Sequence, residues 1–220
     1  MESMTAYARH WGKVFGGTTV EDGLIETVQR YLDPTLGSKV DNWIVSLDSF
    51  CDLLDNLRNT APGPDGIPNA FWRYSSFAVK EILHACYSSW LLFGWLPPRF
   101  NHSFLWLLPK TTEVRDMHGC VCRPEETRPL SGMNTDNKIL AICVRTKINS
   151  KVAEWAHPSQ RGFITGRSLL HNVVDIEAQS LLNAAYRTQA PATLLFDFKA
   201  AFPSLSRRYL FSTLRTVGFP

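Results

Sequence analysis

Apolar residues recur at helical spacing through much of the chain, and short runs break that rhythm in a few places. Leu24, Val28 and Leu32 fall on one face before Asp33-Pro34, and Thr18-Thr19-Val20-Glu21 has the spacing of a capping box, so a helix is predicted there. Phe50, Leu53, Leu54 and Leu57 share one side of a second helix. Thr60-Ala61-Pro62-Gly63-Pro64-Asp65-Gly66-Ile67-Pro68 then interrupts the pattern. Its prolines fix φ and its glycines permit turns, which predicts a defined loop with Pro68 opening the next helix. That helix carries Phe71, Trp72, Val79, Ile82, Leu83, Cys86 and Trp90 and is predicted to run unbroken to the Gly94–Pro98 stretch.

The period then shortens. Ser103-Phe104-Leu105-Trp106-Leu107-Leu108 reads as a strand that delivers Pro109-Lys110 to its end, and the polar segment to about Glu126 as a hairpin or exposed insertion. Helical spacing returns from about Asn134 to Trp155, and again from Ser168 to about Arg187. Between them lies a loop rich in Gly and Arg, His157 to Ser168. Thr193 to Phe196, after Pro191, reads as a buried strand, and Ser206 to Thr216 as a short helix. Many helices and few short strands predict an α+β chain.

Composition adds bounds rather than identity. At 45% hydrophobic and 20% charged, the 220 residues suit a packed core, as one domain or two small ones. No apolar run approaches the ~20 residues of a membrane span, no secretory signal opens the chain, and no membrane association is expected. Five cysteines, odd in number and unpatterned, favour a reducing interior. His118-Gly119-Cys120-Val121-Cys122 is too compact for a standard zinc knuckle. The net charge of +3 is uneven: residues 99–167 hold eleven Lys/Arg against six Asp/Glu, which suits a polyanionic partner or an ordinary solvated surface.

Asp197 is the first candidate for chemistry. At the end of a buried strand, a carboxylate has to be paired, hydrogen-bonded or metal-bound, and strand ends gather ligands. An Asp that merely starts a turn or caps the next helix fits the same stretch. A phosphatase-type nucleophile would want a second acid two residues on, where Lys199 stands.

The order of the blocks says more than any one of them. Ala61-Pro62-Gly63-Pro64-Asp65-Gly66-Ile67-Pro68, Leu108-Pro109-Lys110, Arg128-Pro129-Leu130-Ser131, Asn137-Lys138-Ile139-Leu140-Ala141, the stretch Gln160 to Ser168 and Phe196-Asp197-Phe198-Lys199-Ala200-Ala201-Phe202 resemble successive blocks of a reverse transcriptase of the LINE-like, non-LTR retrotransposon kind. The resemblance covers roughly residues 57–220. It implies the fingers of a right-hand polymerase with the beginning of its palm, after a helical N-terminal or linker region over residues 1–56.

It also implies roles. Asp197 matches the first catalytic aspartate of the palm, and with the Phe198 carbonyl it would contribute to a pair of Mg²⁺ ions about 4 Å apart. Phe202 matches the steric gate against a 2′-hydroxyl. Lys110 and Arg128 match the cations that grip an incoming triphosphate, one as a point charge and one as a planar fork. Gln160, Gly162, Phe163, Gly166 and Arg167 match the block near the template and the nucleotide pocket, with Arg167 meeting phosphate or lying on the surface. The implied partners are an RNA template, a DNA primer and dNTPs, and the expected compartment is the nucleus, although no basic cluster reads as an import signal.

Two departures qualify the match. Pro203 stands where LINE-like enzymes usually place an Asp after the gate aromatic, and the chain contains no Asp-Asp pair. The expectation is therefore a polymerase fragment that is inactive in isolation, the alternative being an RNA-binding module without catalysis.

Overall fold

The computed structural model describes residues 2–16, 19–32, 34, 35, 37, 40, 42–110, 115, 116, 119, 120, 123–186, 192–198 and 200–219. The elements run α1 (Glu2–Phe15), α2 (Asp22–Gln29), α3 (Leu47–Asp55), α4 (Asn69–Tyr74), α5 (Phe77–Phe93), β1 (Ser103–Pro109), β2 (Arg115–Asp116), β3 (Gly119–Cys120), β4 (Thr127–Met133), α6 (Thr135–Trp155), α7 (Leu170–Tyr186), α8 (Ala201–Ser204) and α9 (Arg207–Thr216). Helix-rich α+β is the observed class. Backbone contacts divide the chain into two compact units, Met1–Phe15 with Asp41–Lys147, and Gly16–Val40 with Ile148–Pro220. Among the described residues no helix is long and apolar enough to cross a membrane.

The core of the first unit follows from the apolar spacing of α3, α5 and α6. Ser46 caps α3 by accepting from the Ser49 N–H at 3.3 Å, which starts the helix with Phe50 and Leu54 facing inward. Both are fully buried and pack with Leu83, Tyr87, Ile139, Leu140 and Cys143. Each such side chain contributes roughly 1.5–3 kcal/mol by leaving water. Tyr87 sets its ring edge-on to Phe50 at 5.7 Å and donates its hydroxyl to the Asp136 carbonyl at 2.6 Å, so the one polar atom it buries is satisfied. Burial raises the Tyr87 pKa and pushes the Cys143 thiol up to about 11, so neither group is ionised near neutral pH. Lys80, buried on α5, pairs with Asp55.

The single long helix expected after Pro68 is two helices. Pro68 takes the cap position rather than the first turn, and Ser75 and Ser76 both adopt extended backbone, ψ 152° and 157°, which ends α4 and restarts the chain as α5. Serines compete for backbone hydrogen bonds, and Ser75 Oγ donates to the Phe71 carbonyl at 2.6 Å. Apolar residues continue at helical spacing on both sides, so periodicity alone hides the break. Gly94 closes α5 in the left-handed conformation, φ 63°, as its position in the sequence predicts.

β1 and β4 form an antiparallel pair in register Ser103↔Met133 through Pro109↔Thr127. β4 is not foreseen from sequence because Pro129 has no N–H to donate. Among the described residues the sheet has two strands, each with an open edge, and such a sheet tolerates it. β2 and β3 make the hairpin expected in the polar insertion, while His118 and Cys122 of the compact Cys/His cluster lie outside the described residues.

β4 reaches α6 through the single residue Asn134, and the Pro/Gly loop docks at that junction. Gly63 lies so close that a β-carbon would collide with the Asn134 backbone. The Asp65 N–H donates to Asn134 Oδ1 at 3.2 Å, Thr135 Oγ1 to the Ile67 carbonyl at 2.9 Å, and Lys138 Nζ to the Ala61 carbonyl at 3.0 Å. Trp72 Nε1 donates to Thr135 Oγ1 at 2.8 Å, which links α4 to the same point.

In the second unit α2 packs on α9. Ile25 and Val217 are buried, Gln29 Nε2 donates to Ser212 Oγ at 2.7 Å, and Asp22 pairs with Arg208. Glu21 occupies the cap of α2 without a side-chain hydrogen bond, and Thr18 of the expected capping box lies outside the described residues. Ser206 caps α9 as its sequence position predicts, accepting from the Tyr209 N–H at 3.3 Å.

The strand expected at Thr193 to Phe196 does not form. Residues 192–198 are irregular, and Leu194, Leu195 and Phe196 are 76%, 84% and 87% exposed. An apolar run becomes a buried strand only where a neighbouring strand accepts and donates along it. Among the described residues, none pairs with this segment.

Candidate functional site

The β1–β4 pairing brings two implied cations to one end of a sheet. Arg128 lies opposite Leu108, and Lys110, just past β1, donates its main-chain N–H to the Glu126 carbonyl at 2.8 Å, extending the ladder. Lys110 Nζ donates to the Glu125 carbonyl at 2.7 Å, while Arg128 is exposed. Cross-strand partners share a face and residues two apart share it too, so Arg128 belongs with Leu108, Trp106 and Phe104.

The Gly/Arg loop, in the second unit, is organised by Arg167. One nitrogen, Nη1, donates to the carbonyls of His157 at 2.7 Å and Gln160 at 2.9 Å. The other, Nη2, donates to those of Ala153 at 2.6 Å and Ala156 at 3.0 Å. The last carbonyls of a helix have no partner within it, and a guanidinium in this position satisfies them while complementing the negative end of the dipole. The sequence leaves phosphate contact and plain surface residue open for Arg167, and in the structure its fork lies on the end of α6 and on its own loop. Gln160 Nε2 donates to the Gly162 carbonyl at 3.0 Å, and Arg161 pairs with Asp175 at 2.5 Å. Gly166 takes φ 80°, where glycine is required. Phe163 takes φ 61° with a full side chain and is 99% exposed, so the tightly bonded loop holds out a bare ring.

Asp197, Phe198 and Phe202 follow one another in the second unit. Asp197 is exposed in the irregular segment 192–198, and Phe198 and Phe202 are 82% and 85% exposed. Ala200, in the left-handed region at φ 52°, turns the chain into α8. Phe198, Ala201, Leu205 and Tyr209 border an open, apolar recess of about 430 Å³. As for Mg²⁺, no three His, Cys, Asp or Glu side chains gather among the described residues. The Asp197 carboxylate and the Phe198 carbonyl would offer three oxygens between two ions, where each Mg²⁺ seeks six in octahedral array. The donor set present does not fit a two-ion centre.

The implied residues thus fall into three groups: Lys110 with Arg128, then Gln160, Gly162, Phe163 and Arg167 in one loop, then Asp197, Phe198 and Phe202. Sequence reasoning missed Asn134, Thr135 and Trp72, which hold the Pro/Gly loop to the base of β4. The density of prolines and glycines at 62–68 signals a fixed loop but not what fixes it. It also missed Asp136, beside that loop, whose carboxyl is raised above the ordinary range first by burial and further by the charge of Asp65, against the lowering hydrogen bond from the Asn137 N–H at 2.6 Å.

No family model matches the chain. Over 177 residues, 80% of this chain, it is 30% identical to the Transposon TX1 uncharacterized 149 kDa protein of Xenopus laevis. Over 165 residues, 74% of this chain, it is 29% identical to the Retrovirus-related Pol polyprotein from type-2 retrotransposable element R2DM of Drosophila melanogaster. The chain is similar to these proteins of non-LTR retrotransposons, which is consistent with the resemblance of its blocks to a LINE-like reverse transcriptase domain. It spans 13% and 14% of the lengths of these two relatives.

Proposed function

We propose that residues 57–220 form the fingers and the onset of the palm of an RNA-directed DNA polymerase, with residues 1–56 as a helical approach to it. The complete protein would add dNTPs to a primer 3′-hydroxyl on an RNA template, in the nucleus, with Mg²⁺. The observation that supports this best is the placement of Arg128 on β4 and of Lys110 just past the end of its partner β1. The sequence resemblance assigns both to one triphosphate, and the strand that makes them neighbours is one the hydrophobic pattern does not predict. Phe202, exposed beyond Asp197, is available to act as the ring that excludes a 2′-hydroxyl.

In this reading the 220-residue chain alone does not extend a primer, because Asp197 is one carboxylate where two ions need several. Primer extension on an RNA template is the test. Grafted in place of the matching segment of an active LINE-like reverse transcriptase, residues 57–220 should support extension, Asp197→Ala should abolish it, and Arg128→Ala should raise the KM for dNTP and lower kcat/KM. Phe202→Val should admit ribonucleotides. A graft in which Asp197→Ala and Arg128→Ala are both silent overturns the proposal. Extension by the isolated chain that Asp197→Ala removes overturns the claim of incompleteness.

A further inference from the structure

The face of the β1–β4 sheet that bears Arg128 is more than a mount for that residue. The register sets Phe104 opposite Gly132, Trp106 opposite Leu130 and Leu108 opposite Arg128, so these six share one face. At one end of the other face, which leaves Leu105 47% exposed, Trp11 Nε1 of α1 donates to the buried Thr127 Oγ1 at 3.0 Å. The Arg128 face is open: Phe104, Trp106, Leu108 and Leu130 are 48%, 41%, 49% and 51% exposed.

Gly132 determines how Trp106 lies. A β-carbon there would collide with the six-membered ring of the indole, so the absence of a side chain lets the ring settle across the neighbouring strand. Phe104 supports it, the two centroids 5.6 Å apart with the rings tilted by 43°. An aromatic surface laid on a sheet, half in solvent, with a guanidinium beside it and Lys110 past the strand end, has the composition of a single-strand binding platform. A base stacks on the ring in a basic surrounding, and no base sequence is read.

We propose that Trp106, laid over Gly132 and flanked by Phe104, is a stacking platform for an unpaired base of single-stranded nucleic acid. This rests on the polymerase reading and deepens it: Arg128 and Lys110 hold the incoming nucleotide, and the platform beside them takes a base of the strand.

The test uses the chain itself, a short labelled single-stranded RNA, and an abasic strand of the same length and charge, compared by fluorescence anisotropy at low and high salt. The folded chain should bind the RNA more tightly than the abasic strand. Trp106→Ala should weaken RNA binding about tenfold, leave the abasic strand unaffected, and be largely rescued by Trp106→Phe. Equal affinity for the two strands overturns the platform while leaving the polymerase reading in place, and this comparison needs no variant to fold. Absence of any salt-sensitive binding overturns both. Self-association of the chain that disappears in Trp106→Ala, with no preference for bases, assigns the face to a protein contact and overturns the platform.

Discussion

Arg167 donates from Nη2 to the carbonyl oxygen of Ala153 at 2.6 Å, tying the loop after α6 back to the helix's own last turn. The same guanidinium reaches three further carbonyls. Lysine brings one nitrogen and no planar fork. Arg167→Lys should therefore cost nearly as much as Arg167→Ala, about 2 kcal/mol, because the part-buried carbonyls of Ala153 and Ala156 lose a charge-assisted partner. Thermal denaturation with limited proteolysis across residues 157–168 reads the effect. A fully stable Arg167→Lys would mean that charge alone, not the fork, closes the helix.

Phe163 predicts the opposite sign. Its ring is 99% exposed and its φ is 61°, so it contributes little burial and carries backbone strain. Phe163→Gly should raise the stability of the chain by about 1 kcal/mol, since glycine enters that region without a steric penalty. An unchanged or lowered melting temperature would show that the exposed ring makes a stabilising contact.

Asp136 carries a pH dependence. Its carboxyl is raised above the ordinary value of 3.8 in the folded chain, first by burial and then by Asp65. A carboxyl raised by folding favours the protonated state, so its contribution is whole below 3.8 and is lost as pH climbs through the raised value. Asp136→Asn keeps an acceptor for the Asn137 N–H and removes the charge. The variant should melt above the parent at neutral pH, with the gap closing as pH falls toward 3.8. A gap of constant size across that range would trace the effect to packing instead.

Gly63→Ala tests the dock of the Pro/Gly loop. The added methyl meets Asn134 main chain, which cannot swing aside as a side chain could. The expected loss is roughly 2 kcal/mol, within the range for overpacked sites. Gly66→Ala, with open space but φ 73°, should cost about 1 kcal/mol through its backbone alone. Chemical denaturation of the two variants side by side separates the mechanisms, and equal losses would mean that the loop yields at Gly63.

The helices that build the first unit's core were legible because burial repeats at their period: Phe50 and Leu54, then Ile139 and Cys143, point where the spacing says. The break at Ser75-Ser76 was not, since a cap leaves the apolar period intact on either side. β4 was hidden by Pro129, a residue that argues against a strand unless the sheet is known to stop there. The Thr193–Phe196 run has a strand's composition, yet pairing is a property of two segments and cannot be read from one. Of the candidate site, the sequence shows the cations and Asp197 as residue types in order, and no more. The work that Arg167 does was not legible, because it depends on which carbonyls a folded helix leaves unsatisfied.

The fit of Trp106 over Gly132 also constrains the order in which this sheet can change over generations. Any side chain at 132 meets the indole, so a substitution there is harmful while tryptophan stands at 106 and tolerable once a smaller residue has replaced it. The reverse order passes through a strained intermediate. The two sites are historically contingent: a lineage that gives up the ring gains freedom at 132, and once 132 has filled, restoring tryptophan means first undoing the later change.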